Sequence, residues 1–205
     1  MKNYFSIEKK TVTETVIKKS VFIAAAAPIK NAEDAELFID AVRREHRGAA
    51  HNCYAYIVGE NEMRFSDDGE PQGTAGTPML TVLKKKGLEK IAVVVTRYFG
   101  GIKLGAPGLI SAYAVAVLNC IEAAGIKKYV PFRSARLRFG YAAIRIVDGV
   151  LKGFSAVMEN AEYGEDIRYE TAVENEKYGA FVNALKERAG GAVEIEHGSV
   201  KPRAI

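Results

Sequence analysis

"IAVVVTRYFGGIKLGAPGLISAY", residues 91–113, passes from an unbroken apolar run through a glycine-rich corner into a helical pattern. The run 91–96 is the most apolar strand of the chain and reads as the centre of a sheet. From about Gly108 to Ala124 the apolar positions Ile110, Tyr113, Ala114, Val117, Leu118 and Ile121 recur at helical spacing, which predicts a helix with that side buried. Between them, Gly100, Gly101, Gly105 and Gly108 follow Arg97 and Tyr98 and flank Lys103. A strand feeding a helix through bare backbone leaves N–H groups where the helix dipole favours negative charge, and Arg97 and Lys103 add charged donors. The corner therefore reads as an anion site. The simpler alternative is that the glycines only permit positive-φ turns and close packing. Neither standard phosphate motif is present: Ala106, not Lys, follows Gly105, and no G-x-G-x-x-G occurs.

Working outward, residues 11–17 and 20–27 are β-prone and meet at Lys18 and Lys19, predicting a strand pair. Asn31, with Asp34 three residues on, is an N-cap for a helix whose stripe is Ala35, Phe38, Ile39 and Val42. Residues 53–58 and 62–66 form a hairpin, and 67–78, "DDGEPQGTAGTP", a long loop. Pro131 marks a linker at 129–133, giving one domain over 1–132 and a second over 133–205. The second repeats a strand, helix, strand, strand, helix, strand order, with Ala135, Leu137 and Phe139 on its first strand and Ile167, Tyr169, Thr171 and Val173 on its third. That βαββαβ order is ferredoxin-like, and the chain as a whole is predicted α+β.

The bulk numbers bound the function. The chain has 205 residues, 48% hydrophobic and 26% charged, enough for a real core and ordinary for a soluble globular protein. No signal peptide or membrane-spanning stretch is read in it, and Cys53 and Cys120 lack disulfide or zinc spacing, so a cytoplasmic location is expected. No cofactor or metal site is expected. The net charge of +4 is mild, but residues 1–133 carry 19 lysines and arginines against 14 acidic residues, so an anionic partner should prefer that half.

Two further clusters stand beside the corner. Asp67, Asp68 and Glu70, around Gly69, offer carboxylates for a divalent cation or a basic partner, or make a solvated turn. His51 precedes a strand and shares its face with Cys53, a pairing that could hold a nucleophile and its base, although buried cysteines are usually inert. Tyr54, Tyr56, Tyr98, Phe99 and Tyr113 could stack bases where exposed.

Four separated segments, "KKSVFIA" (18–24), "HNCYAY" (51–56), "SDDGEPQGTAGTPML" (66–80) and "VVVTRYFGGIKLGAPGLISAYAVA" (93–116), together resemble the IMPACT/YigZ family, in the family's order. The resemblance implies that the first domain is a two-layer α/β sandwich of the ribosomal-protein and elongation-factor type. It also implies that the second is similar to the last domain of elongation factor G. The family signature falls on Asp67, Asp68, Gly69, Glu70, Pro71, Gly73, Thr74 and Gly76, and on Arg97, Tyr98, Gly100, Gly101, Lys103, Gly105 and Tyr113.

The expected function is a nucleic-acid- or ribosome-associated binding protein and regulator of translation, with Arg97, Tyr98, Gly100, Gly101, Lys103, Gly105 and His51 gripping the anion. The alternative is an enzyme, a metal-assisted hydrolase or transferase acting on a phosphorylated or carboxylated small molecule through Asp67, Asp68 or Glu70. A third possibility is a docking patch for a protein partner.

Overall fold

A computed structural model describes residues 2–205. Its order is β1 (Tyr4–Ile7), β2 (Thr11–Ile17), β3 (Ser20–Pro28), α1 (Ala32–Glu45), β4 (His51–Gly59), β5 (Glu62–Ser66), α2 (Gly76–Lys85), β6 (Ile91–Tyr98), α3 (Gly105–Ala124) and β7 (Ile126–Phe139). There follow α4 (Ile144–Gly153), β8 (Val157–Tyr163), β9 (Ile167–Glu174), α5 (Tyr178–Ala189) and β10 (Val193–Ala204). The chain divides into two compact units, Tyr4–Lys128 and one built on Tyr129–Ile205. The α+β class is as expected.

In the first unit an antiparallel sheet runs β2-β3-β6-β4-β5. β6 is central, and Ile91 to Arg97 are all buried. Its two faces feed different cores. Val93 and Val95 join Phe22, Met79 and Tyr113 under α2 and α3, while Ala92 and Val94 join Ala25, Ile39 and Tyr56 under α1. The unit thus has helices on both sides of its sheet, one layer more than expected, because a strand apolar on both faces needs cover on both. Asn31 caps α1 as anticipated, accepting from Asp34 N–H at 2.8 Å. The β2–β3 turn is tight, with Lys18 and Lys19 both at positive φ.

Three expectations shift here. The loop after β5 ends at Ala75, where α2 begins, instead of running to residue 78. Helix α3 starts three residues before Gly108, and its buried side carries Leu109, Ala112, Ala116 and Cys120 while Ile110 is exposed. A helix apolar nearly all round does not declare its face by periodicity. By length and composition α3 could also cross a membrane, contrary to the reading that no stretch could; its place in the first core is that of a core helix.

The second unit's sheet runs β10-β7-β9-β8, all antiparallel, which with α4 and α5 is the ferredoxin-like arrangement. Leu137, Val147, Ile167 and Phe181 centre its core. Residues 129–133 are not a loop: Pro131 lies inside β7, opposite Pro202 and one residue before pairing with β9 begins at Phe132. A proline outside that second ladder interrupts nothing. The last strand, β10, continues to Ala204.

Candidate functional site

The site is built at the mouth of β6. Alternation along the strand sends Arg97 and Phe99 to one side and Tyr98 to the other. Arg97 is 6% exposed, its guanidinium 5.5 Å from the rings of both Phe22 and Phe99. Its Nη1 donates to Glu70 Oε1 at 2.6 Å, and Nε is buried without a hydrogen-bond partner. Glu70 also accepts from Tyr113 OH at 2.8 Å. An expected surface anion grip is therefore, at Arg97, a buried ion pair between the two signature segments. Such a pair survives burial only when its remaining donors and acceptors are met, which makes the orphaned Nε conspicuous.

The loop residues are consumed one by one. Asp67 accepts from the N–H groups of Gly73, Ala75 and Gly76 at 2.8, 3.0 and 2.8 Å, holding the start of α2 from eight or nine residues away. Asp68 accepts from Asn52 N–H at 2.6 Å and from Arg43 at 3.3 Å. Asp68 and Gly69 both have positive φ, and a Cβ on Gly69 would come within 3.3 Å of His51 Nδ1. The three carboxylates thus point to different partners, and among the described residues no three His, Cys, Asp or Glu side chains are grouped to hold a metal ion.

His51 Nδ1 lies 2.8 Å from the carbonyl oxygen of Asp68. A carbonyl only accepts, so this nitrogen carries hydrogen, and Nε2 is turned toward Glu70 Oε2 at 3.9 Å. Cys53 Sγ sits 2.9 Å from Asp67 O and 3.3 Å from Tyr113 OH. Burial pushes its thiol up to about 12, so it is not a ready nucleophile.

The glycines divide by role. Gly100 donates to Ser20 Oγ, and a Cβ there would lie 2.0 Å from the Lys19 carbonyl carbon, so its bareness serves the packing of the junction on the β2–β3 turn. Gly101 at φ +81° and Gly105 at φ +73° make the turns that redirect the chain into α3. That helix has no side-chain cap. Its free first-turn amides are the positive end of a 20-residue helix.

These parts enclose a cleft of about 530 Å³. His51, Glu70, Arg97, Lys103, Gly105 and Ala106 line it. Phe99 and Leu109 make an apolar wall. Of the residues expected to act together, His51, Arg97, Lys103 and Gly105 meet here with Glu70. Tyr98 does not: its hydroxyl bonds His46 Nδ1 at 3.0 Å on the α1 side. Gly100, Gly101, Asp67 and Asp68 do not line the cleft either. Phe99, expected only as a ring for stacking, joins the lining by two-residue alternation from Arg97, whereas Ala106 and Leu109 were not among the expected site residues and the first turn of α3 was the signal for them.

The open sheet face of the second unit is charged but self-neutralising, with Arg136 meeting Glu170 and Glu196, and Arg138 meeting Asp166 and Glu194.

A model of the IMPACT N-terminal domain matches residues 18–121, the span that holds every cleft residue named above. The chain belongs to the IMPACT family. It is 37% identical over 200 residues to the IMPACT family member YvyE of Bacillus subtilis, covering 97% of this chain and 92% of that protein. It is 34% identical over 189 residues to YigZ of Escherichia coli, covering 90% and 92%. Human protein IMPACT matches over only 93 residues, 43% of this chain and 29% of its own length, at 31% identity. A solved structure of a hypothetical protein superposes with a TM-score of 0.64 at 31% identity, covering 95% of this chain and 97% of the other. Family members of bacterial type therefore share both units of the chain.

Proposed function

We propose that this protein binds RNA within the translation apparatus, with the cleft at the head of α3 as its phosphate grip. One observation carries the reading: the uncapped α3 start and Lys103 meet on one solvent-open cleft, which the buried Arg97 also lines. Amides at a helix start and a nearby lysine are a ready anion site. Phe99, half exposed beside them, offers a ring on which a base stacks. The net positive charge through residue 133 supports the same partner, and the ribosomal-protein and elongation-factor likeness that the family resemblance implies gives it a setting.

The metal-assisted alternative asks Asp67, Asp68 or Glu70 for free lone pairs, whereas each already serves donors of the chain itself. The decisive measurement is fluorescence anisotropy with short single-stranded RNA across a salt series. Binding should weaken as salt rises, by a log–log slope of about −0.7 for each phosphate engaged. Lys103→Ala should weaken it at every sequence tested. Absence of affinity at 20–50 mM salt (about the low end used for such titrations) would overturn the reading.

A further inference from the structure

We infer that the cleft selects one nucleotide bearing a terminal phosphate monoester, supplied either as a free nucleoside monophosphate or as the phosphorylated end of an RNA chain. This deepens the RNA-binding reading and rests on it for the site, though not for the form of the ligand.

Three features point to a single nucleotide with its phosphate at an end. The first is size. The cleft of about 530 Å³ falls within the range of roughly 300–1,000 Å³ typical of pockets that enclose one small ligand. The second is the division of its lining. Phe99, Leu104, Leu109 and Pro71 present apolar surface, while Lys103 and the Gly105 and Ala106 backbone present charge and amides. A ligand matching both has a flat apolar body and one anionic head, which is the make-up of a nucleotide.

The third is the supply of donors. A phosphodiester inside a chain carries one negative charge and two free oxygens; a phosphate monoester carries about −1.5 to −2 at neutral pH and three. The head of α3 offers unpaired amides, since Pro107 removes only its own, and Lys103 adds an ammonium. Arg97, 94% buried by its 6% exposure, lines the same cleft with Nε unpartnered. Glu70 lies against that guanidinium and neutralises most of it, so the cleft rewards a ligand charge dense enough to compete. His51 Nε2, when protonated, adds a further donor on the same lining.

The test is a competition measured by anisotropy, using one RNA octamer made with a 5′-phosphate, a 3′-phosphate or hydroxyls at both ends, together with adenosine and cytidine monophosphates, the matching nucleosides and inorganic phosphate. The expected result is that one phosphorylated octamer binds at least ten-fold more tightly than the hydroxyl form. A mononucleotide should displace it, and the nucleoside should not. Ala106→Glu introduces an acidic residue where a helix start tolerates it, so it should fold while abolishing the phosphate preference.

Equal binding of all three octamers overturns this inference and leaves the RNA reading standing. Binding of mononucleotides without any octamer supports the inference with the free nucleotide as source, and overturns the RNA reading. Binding of inorganic phosphate as tightly as a mononucleotide, or persistence of the preference in Ala106→Glu, overturns the inference, and no binding by any probe overturns both.

Discussion

Arg97 and Glu70 lie 27 residues apart in sequence and 2.6 Å apart in the fold, each with a side chain almost wholly out of water. The pair ties the loop before α2 to the end of the central strand, and Tyr113 of α3 completes it from a third element. Burying both charges is costly, so each is tolerable mainly because of the other. Arg97→Met or Glu70→Leu alone should lower the unfolding free energy by roughly 3–5 kcal/mol. The double variant should lose well under the sum, since neither charge is then stranded. Urea denaturation of the four proteins measures that coupling, and additive losses would show that the pair does not act as a unit.

The same relationship marks where reading the chain stopped being enough. Periodicity located β6, the strand pair at Lys18 and Lys19, the Asn31 cap and the βαββαβ order, because each is written within a few neighbouring residues. The junction of Arg97 and Lys103 with the head of α3 was also legible, since a strand, glycines and a helix follow one another directly. What was not legible is long-range. Nothing near Glu70 says that its partner is Arg97, and nothing near Gly76 says that Asp67 caps α2 from nine residues back. Tyr98 could have been excluded by strand alternation from Arg97, whereas the buried face of α3 needed the packed partners Phe22 and Met79 to define it.

Asp67 provides a second test of that long-range design. Its carboxylate receives three backbone N–H groups that would otherwise be orphaned at the start of α2. Ordinary side-chain caps contribute about 1 kcal/mol, and a charged acceptor serving several donors contributes more. Asp67→Ala should therefore cost roughly 2 kcal/mol or more, with hydrogen exchange accelerating first in residues 73–79. Asp67→Asn should recover part of the loss, because it retains one acceptor oxygen. An exchange pattern unchanged over that segment would count against the capping role.

Gly100 and Gly101 are adjacent and should respond differently to the same methyl group. At Gly100 the added carbon meets the Lys19 backbone at 2.0 Å, and backbone cannot rotate away as a side chain can. At Gly101 there is open space, and the only penalty is φ +81°. Gly101→Ala should cost about 1–2 kcal/mol, the usual difference for a left-handed residue. Gly100→Ala should cost roughly 3 kcal/mol or more, through overpacking that separates the junction from the β2–β3 turn. Thermal melts of the two variants decide it, and equal shifts would mean that the close approach at Gly100 relaxes freely.

Cys53 gives the pH dependence a direction. Its thiol is raised from 9.0 to about 12, first because burial disfavours the thiolate, with Glu70, Asp68 and Asp67 adding repulsion; the Tyr113 hydrogen bond opposes this. Tyr113 is raised from its ordinary value as well, again chiefly by burial. Below pH 9 both folded and unfolded chains keep these protons, and stability is unaffected by them. Between pH 9 and about 12 the unfolded chain releases the Cys53 proton while the folded chain retains it, so each added pH unit favours unfolding. The slope for one such group is on the order of 1 kcal/mol per unit. Urea midpoints should hence fall as pH rises from 9 to 11, and Cys53→Ala should flatten part of that fall even though it lowers stability at pH 7. In the folded protein at pH 8 Cys53 should resist iodoacetamide, reacting only as the chain opens. An alkaline slope identical in the wild type and Cys53→Ala, or rapid native-state alkylation at Cys53, would show that the thiol is neither buried nor proton-locked as the geometry requires.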